Sequence, residues 1–173
     1  MSEISLITEE YRAMQQQLHQ NPQYGIASVG YAPLVAQVVE AIAAPALLDY
    51  GAGKGRLGQA LKQQLKRPLT IIHYDPAIPQ WAALPAPCGL VACIDVLEHI
   101  EPDLLDNVLD ELQSITPRLG FFSIHTGPAI KVLSDGRNAH LIQKPSSWWL
   151  PRLCQRFEVQ ALDLSPGGFF VPC

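Results

Sequence analysis

A glycine-rich loop between an apolar run and a helical pattern constrains this chain of 173 residues more than any other feature. Residues 45–48 are apolar, residues 49–55 read Asp-Tyr-Gly-Ala-Gly-Lys-Gly, and residues 56–65 follow a helical pattern. Glycine permits a tight turn and a close approach of the backbone to a ligand, and a helix N-terminus presents free N–H groups. The segment therefore predicts a strand, a loop and a helix that form a site for a polar cofactor.

The residues of the loop leave several interpretations open. Gly53, Gly55 and Gly58 match the dinucleotide fingerprint G-x-G-x-x-G, and Asp75 follows near the place of a ribose-binding acid. A phosphate-binding P-loop is disfavoured, because no Ser or Thr follows the loop lysine. Asp49, a carboxylate at the strand end, favours instead a cofactor that carries a cation. A glycine turn without any ligand is the remaining alternative.

Strand-like and helix-like segments alternate along most of the chain, which predicts an α/β fold with a doubly wound, mostly parallel sheet. The predicted helices span residues 5–19, 32–43, 55–66, 102–114 and 147–156, with Ser5 as the cap of the first. The predicted strands span residues 46–50, 69–74, 90–94, 120–125, 157–163 and 168–171.

The end of the chain and the segment after Asp75 refine this fold. Only Ser165, Pro166 and Gly167 separate the last two strands, so they should form an antiparallel hairpin. The segment after Asp75 is too short for a full crossover and a further strand, which leaves a vestigial strand at residues 82–84. We expect one domain, with an N-terminal helical segment over 1–44 and a cofactor-binding core over 45–173.

Composition excludes several classes of protein. The net charge of -4 argues against a nucleic-acid partner, which needs a broad basic surface. No apolar run reaches the ~20 residues of a membrane span, and the polar N-terminus does not resemble a signal peptide. The four cysteines form no C-x-x-C pair, which is typical of free thiols in a reducing compartment. We therefore expect a cytoplasmic protein.

A second group of polar residues, Asp95, Glu98 and His99, follows the strand predicted at 90–94. Their i, i+3, i+4 spacing would place all three on one face of a helical turn. Two carboxylates and an imidazole suit Mg²⁺, Mn²⁺ or another hexacoordinate divalent ion better than structural zinc. The alternative is a capping box for a short turn, with His99 facing solvent.

Three segments together resemble the class I S-adenosylmethionine-dependent methyltransferases. Residues 47–57 resemble their motif I, residues 73–76 their acidic loop after the second strand, and residues 94–100 their fourth-strand exit. The resemblance covers the chain from about residue 46 and implies S-adenosylmethionine as cofactor, with its ammonium near Asp49 and its ribose on Asp75. The residues that it assigns to the cofactor are Asp49, Gly51, Ala52, Gly53, Gly55, Asp75, Pro76 and Asp95.

The order acid-x-x-Glu-His is similar to the metal-binding motif of the small-RNA terminal-ribose methyltransferases and the ubiquinone-pathway catechol O-methyltransferases. In those families the metal engages two adjacent hydroxyls of the substrate. Here Asp95 replaces the more usual Glu, and a further histidine is required from downstream. The resemblance implies His140 as that histidine, with His125 as second candidate, so the expected metal ligands are Asp95, Glu98, His99 and His140.

The long connection after the strand at 120–125 is locally basic. It contains Lys131, Arg137, His140 and Lys144, with Asp135 as its only acid. Long loops at this end of an α/β sheet are often functional, so the patch is a candidate site for an anionic substrate, a phosphate or a carboxylate. The alternative is a solvated surface loop.

These observations predict methyl transfer to a hydroxyl of a small molecule, assisted by a divalent metal. His99, His125 and His140 are the candidate catalytic residues, because histidine titrates near neutral pH. The alternatives are an NAD-type oxidoreductase, which would use the G-x-G-x-x-G glycines and give Asp49 no role, and a non-catalytic scaffold that keeps the fold.

Overall fold

The computed structural model describes residues 5–165 and 167–173. Pro166 of the predicted turn lies outside the described residues. Short 3₁₀ turns occupy Pro79–Trp81, Leu97–His99 and Pro102–Leu104. The α-helices of the described residues are α1 (Glu9–His19), α2 (Ser28–Ala41), α3 (Arg56–Gln64), α4 (Leu105–Ile115) and α5 (Ser146–Cys154).

A six-stranded sheet with the order β2-β1-β3-β4-β6-β5 forms the centre of the molecule. Its strands are β1 (Ala46–Tyr50), β2 (Thr70–Tyr74), β3 (Leu90–Ile94), β4 (Leu119–His125), β5 (Asp163–Ser165) and β6 (Gly168–Pro172). The first four strands pair in parallel, and β6 pairs antiparallel with both β4 and β5. The predicted fold class, including the C-terminal hairpin, is confirmed.

The two faces of the sheet bury separate hydrophobic clusters. One cluster packs α4 and α5 against the sheet around Leu109, Phe122 and Trp149, all fully buried. The other packs α2 and α3 against it around Val35 and Leu57. Every residue of β3 is buried, as expected of a central parallel strand covered on both faces. These layers leave the carboxyl ends of β1, β3 and β4 together at one edge.

Two predicted strands are wrong. Residues 157–162 lie outside the ladder: Phe157 packs on Phe122, and Gln160 donates its N–H to Pro172, but pairing with β6 begins only at Asp163. Residues 82–84 form no strand either. The chain after Asp75 makes the 3₁₀ turn at Pro79–Trp81 and continues without pairing to β2, so β2 ends the sheet on that side.

The N-terminal helices begin at other residues than predicted. The cap of α1 is Thr8 rather than Ser5, because the Thr8 hydroxyl accepts the N–H of Tyr11. Thr8 also donates through its N–H and its hydroxyl to the Glu101 carboxylate, which fixes α1 beside the end of β3. The second helix begins at Ser28, a turn earlier than predicted. Among the described residues, no helix is long and apolar enough to cross a bilayer.

Candidate active site

A cavity of about 670 Å³ opens at the carboxyl ends of β1, β3 and β4. Open α/β sheets bind ligands at the carboxyl ends of the strands, at the point where the strand order reverses. Its lining includes the glycine loop, which we call the glycine end, and His99, His125 and His140, which we call the histidine end. Side chains from α1 and from the segment between α1 and α2 cover it, among them His19 and Tyr24.

The glycine loop has the conformation that its composition predicts. Gly51, Gly53 and Gly55 have φ values of 72°, 53° and 66°, which favour glycine. A Cβ on Gly51 would lie 2.4 Å from Val96, and one on Gly53 would lie 2.8 Å from the His19 ring. Both glycines are therefore required by the close approach of neighbouring side chains as well as by the backbone.

Asp75 holds the glycine loop in place. Its two carboxylate oxygens accept the N–H of Gly53 and the N–H of Ala77, each at 2.9 Å. Asp75 is buried and lines the cavity together with Pro76. A carboxylate oxygen with one N–H still has a second lone pair for a ligand. The predicted contact of Asp75 with a ribose therefore remains a prediction that the geometry permits.

Asp49 ends β1 as a buried carboxylate with an incomplete set of partners. Its side chain is 6% exposed, and this burial raises the pKa of Asp49, while the nearby His73 lowers it. The Oδ2 atom of Asp49 lies 3.4 Å from Nδ1 of His73. The angle between these groups is unsuitable for a hydrogen bond. Oδ2 of Asp49 and Nδ1 of His73 therefore have no hydrogen-bond partner among the described residues. Asp49 also lines the cavity, and a buried carboxylate at a cavity suits a cationic ligand group.

Asp95 does not lie with the other predicted metal ligands. It has a φ of 50°, a left-handed conformation that is rare outside glycine, and its Oδ1 accepts the hydroxyl hydrogen of buried Ser123 at 2.6 Å. The helical turn begins only at Leu97, so residues 95–99 are not one helical face. The i, i+3, i+4 argument fails for this reason. Asp95 still lines the cavity, as predicted for a cofactor contact.

Glu98, His99 and His140 do come together. One ligand atom from each of the three lies within 4.8 Å of the others. Glu98 is 0% exposed; its Oε1 accepts the N–H of His125 at 2.9 Å, and its Oε2 has no partner among the described residues. Burial raises the pKa of Glu98 well above its usual range, and Asp95 raises it further. Leaving a buried carboxylate oxygen unpaired is costly unless a ligand completes the site.

Backbone carbonyls fix the orientation of both histidines in this group. Nδ1 of His99 lies 2.8 Å from the Ala139 carbonyl, and Nδ1 of His140 lies 2.7 Å from the Gly127 carbonyl. A carbonyl only accepts, so each Nδ1 carries the proton and each Nε2 keeps its lone pair. Burial lowers the pKa of His99 to about 3 and also lowers that of His140, which keeps both rings neutral. Neutral histidines oriented in this way are typical of metal ligands.

His125 stands next to this group without belonging to it. Its ring centroid lies 5.0 Å from that of His140, and its side chain lines the cavity. Its Nδ1 lies 3.2 Å from both the N–H and the carbonyl of Gly127, so the backbone of the same loop positions the ring.

Sequence reasoning missed a polar network that joins α1 to the site. The Tyr11 hydroxyl donates to the carbonyl of His99, Gln15 donates to the Tyr11 oxygen at 2.6 Å, and Tyr24 donates to Gln15 at 3.0 Å. Tyr11 and Gln15 are four residues apart on α1 and therefore share one face. That spacing is the signal that could have identified them. Lys54 of the glycine loop donates to the Tyr24 carbonyl at 2.8 Å, which links both ends of the cavity.

The predicted basic patch is reduced to one cation at the cavity. Arg137 pairs with Asp135 at 2.7 Å at an exposed turn, and Lys144 is exposed outside the cavity lining. Lys131 and His140 are the two residues of the predicted patch that line the cavity.

No protein-family model and no curated protein matches this sequence. Solved structures do resemble the chain. The 1,6-didemethyltoxoflavin-N1-methyltransferase of Burkholderia thailandensis, with 1,6-didemethyltoxoflavin and S-adenosylhomocysteine bound, superposes with a TM-score of 0.66 at 16% identity, over 99% of this chain and 92% of that one. DhpI in complex with S-adenosylhomocysteine (SAH) gives 0.56 at 16% identity, over 95% and 92%.

The mitomycin 7-O-methyltransferase MmcR gives a TM-score of 0.64 at 13% identity. The match covers 91% of this chain and 59% of that one, so this chain spans about three-fifths of the length of that enzyme. The chain therefore has the fold of the S-adenosylmethionine-dependent methyltransferases, and the resemblance noted in the sequence is confirmed at the level of the fold.

Proposed function

We propose that the protein binds S-adenosylmethionine and transfers its methyl group to a hydroxyl of a small molecule, with a divalent metal held by Glu98, His99 and His140. The observation that carries the proposal is one cavity that extends from the glycine loop to His99 and His140. Its volume of about 670 Å³ is typical of a small-molecule site. The methyltransferase fold supports the same cofactor.

The cofactor end of the cavity supplies groups that match the parts of S-adenosylmethionine. The Asp49 carboxylate, which lines the cavity at the end of β1, is the partner for the methionine ammonium. The remaining lone pairs of the Asp75 carboxylate accept hydrogen bonds from the ribose hydroxyls. Gly51 and Gly53 line the cavity, and the absence of a side chain lets the backbone come close to the cofactor.

The three candidate metal ligands fit a divalent cation. Oε2 of Glu98 is without a partner, and Nε2 of both His99 and His140 keeps a lone pair. One oxygen and two imidazole nitrogens suit Mn²⁺, Fe²⁺, Co²⁺ or Zn²⁺ better than Mg²⁺, which prefers oxygen ligands. This donor set changes the expectation from the sequence, which included Mg²⁺ and disfavoured structural zinc. A metal bound there would lower the pKa of a substrate hydroxyl.

The reaction is an in-line displacement in which the protein mainly supplies position and electrostatics. The substrate oxygen attacks the methyl carbon, the bond from that carbon to sulfur breaks, and the electron pair stays on S-adenosylhomocysteine. His125 accepts the hydroxyl proton, because it lines the cavity and lies outside the ligand group. His99 has a pKa of about 3 and is too weak a base for this role.

The two alternatives fit the molecule less well. A dinucleotide oxidoreductase gives no role to Asp49, which is buried and lines the cavity, and two of the solved structures described above are methyltransferases. A scaffold without activity does not need a buried carboxylate oxygen without a partner beside His99 and His140.

An assay with catechol as a diol probe tests the proposal. The protein, S-adenosylmethionine and catechol are incubated with EDTA, Mg²⁺ or Mn²⁺, and mass spectrometry follows the methylated product. We expect O-methylated catechol with Mn²⁺, less with Mg²⁺ and none with EDTA. Turnover that EDTA leaves unchanged would remove the metal from the proposal. Methylation of an amine probe in place of catechol would contradict a hydroxyl acceptor.

A further inference from the structure

We propose that Lys131 forms a subsite for an anionic substituent of the substrate, so that the preferred acceptor is a diol that carries a carboxylate or a phosphate. The inference rests on the proposed function and specifies the substrate class of the same site. Four observations support it: the pairing of the Lys131 backbone, the clamp that fixes its loop, the charges of the cavity and the apolar side chains beside it.

The backbone of Lys131 is paired directly with the metal-ligand loop. The Lys131 carbonyl accepts the N–H of Ala139 at 3.0 Å, and Val132 and Asn138 form an antiparallel bridge. Ala139 in turn accepts the Nδ1 hydrogen of His99 and precedes His140. Lys131 therefore pairs through its backbone with Ala139, the residue that orients one proposed metal ligand and precedes the other.

The side chain of Asn138 holds this loop together through hydrogen bonds to its backbone. Its Oδ1 accepts the N–H of Ala129 and the N–H of His140, both at 2.9 Å, and its Nδ2 donates to the Ala129 carbonyl at 2.8 Å. The side chain therefore ties the segment before Lys131 to the residue that carries the imidazole. A loop held by three such bonds keeps the lysine at a defined distance from the reacting end of the cavity.

Lys131 is a basic side chain in a cavity whose carboxylates carry the opposite charge. Among the described residues that line the cavity, Lys131 is the only lysine or arginine, while Asp49, Asp75 and Asp95 all line it. No carboxylate of the described residues forms an ion pair with Lys131, whereas Arg137 is already paired with Asp135. A cation without a partner at a cavity suits a carboxylate or phosphate of the ligand.

The side chains next to Lys131 indicate an apolar body for that anionic ligand. Ile130 lines the same cavity and is 96% exposed, and Ile26, which also lines it, is 48% exposed. Exposed apolar side chains at a cavity are typical of a surface that a ligand covers. An aromatic ring with two adjacent hydroxyls and a carboxylate fits these groups better than a sugar phosphate does.

Calorimetry on the protein saturated with S-adenosylhomocysteine and Mn²⁺ tests the subsite with two probe pairs. The aromatic pair is protocatechuate and catechol, which differ by a carboxylate. The sugar pair is ribose 5-phosphate and ribose, which differ by a phosphate. Lys131→Met keeps the length of the side chain and removes its charge. Lys144→Met is the control, because Lys144 is exposed outside the cavity lining.

We expect wild type and Lys144→Met to bind protocatechuate about tenfold more tightly than catechol, the gain of one hydrogen bond to a charged group. Lys131→Met should lose this preference and keep the affinity for catechol. A preference within the sugar pair alone would identify phosphate as the anion. Equal binding within both pairs, no binding of either anion, or a preference that survives Lys131→Met overturns the inference.

The affinity for S-adenosylhomocysteine separates the two proposals. If wild type does not bind S-adenosylhomocysteine, the proposed function fails. If wild type binds it and Lys131→Met weakens that binding, Lys131 serves the cofactor carboxylate and the substrate subsite is wrong. An unchanged affinity for S-adenosylhomocysteine in the variant is the result that the inference requires.

Discussion

The two ends of the cavity are built in different ways. At the glycine loop, backbone N–H groups are paired within the protein: Asp75 accepts two of them, and those of Gly51 and Ala52 both donate to the Tyr74 carbonyl. At the other end, Glu98 is fully buried with one oxygen unpaired, beside two neutral histidines with free lone pairs.

The glycine loop is therefore held in place before a ligand binds, whereas the buried groups of the histidine end require a ligand to pair with them. These hydrogen bonds hold the glycine loop in place without cofactor, so Asp75 contributes to folding as well as to binding. Desolvated, unpaired groups at the histidine end cost stability until a cation pairs with them. Substitutions at the two ends should therefore have opposite effects on the stability of the ligand-free protein.

The largest effect is expected at the histidine end. His140→Ala removes one of three metal ligands, so Mn²⁺ affinity should fall by at least about 100-fold, more than the loss typical of an outer-shell partner. The affinity for S-adenosylhomocysteine should stay within about twofold, because the His140 ring bonds to the Gly127 carbonyl and not to the glycine loop. Calorimetric titrations with each ligand measure both. Asp95→Asn is the matched control and should keep Mn²⁺ binding, since Asp95 lies outside the ligand group.

The next effect is expected at Asp75. Asp75→Ala leaves the buried N–H groups of Gly53 and Ala77 without acceptors, which should lower the free energy of unfolding by about 2 kcal/mol. The affinity for S-adenosylhomocysteine should fall by about tenfold or more, whereas Mn²⁺ binding should not change. Urea unfolding and calorimetry give the two numbers. A loss of stability with unchanged cofactor affinity would limit Asp75 to a structural role.

A smaller effect is expected at Gly53. Gly53→Ala places a Cβ 2.8 Å from the His19 ring at a φ of 53°, which should cost about 1 to 2 kcal/mol of stability. It should also weaken S-adenosylhomocysteine binding. Gly89→Ala is the control, because a Cβ there meets nothing within 4 Å and should change stability by less than about 0.5 kcal/mol. Equal effects of the two substitutions on urea unfolding would contradict the tight approach of His19.

The smallest effect is expected at Glu98, where a substitution should raise the free energy of unfolding rather than lower it. The pKa of Glu98 is raised in the folded state, so its contribution to stability is present below its unfolded pKa of about 4.5 and is lost as pH rises through the folded value. Glu98→Gln should therefore stabilise the metal-free protein at about pH 8 and change it little at about pH 4.5. Urea unfolding with EDTA at both pH values measures this. Destabilisation at the higher pH would show that burial does not disfavour the ionised form of Glu98.

The parts of the site that are contiguous in sequence could be predicted. The glycine loop, the strand before it and the helix after it follow from local propensities, and β1 and β3 have the predicted bounds. Asp75 was found from its spacing to the loop. Its two backbone partners, Gly53 and Ala77, could not be predicted, since they depend on how the folded chain places Asp75 between the glycine loop and the turn after β2.

The histidine end depends on contacts that local patterns do not encode. His99 is 40 residues from Ala139, the carbonyl that orients it, and only the folded loop brings them together. The helical spacing of residues 95–99 suggested a ligand role for Asp95, but its left-handed backbone places the side chain on Ser123. Likewise, the pairing of Arg137 with Asp135 removed a cation that the sequence had assigned to the patch.

The most direct test of the account is a calorimetric titration of S-adenosylhomocysteine into the purified protein, repeated with NADH. We expect S-adenosylhomocysteine to bind with a Kd of roughly 1 to 100 µM, in the usual range for small-molecule sites of enzymes, and NADH not to bind. Binding of NADH alone would contradict the role of Asp49 and favour a dinucleotide site. Binding of neither ligand would contradict the cofactor site and favour a scaffold.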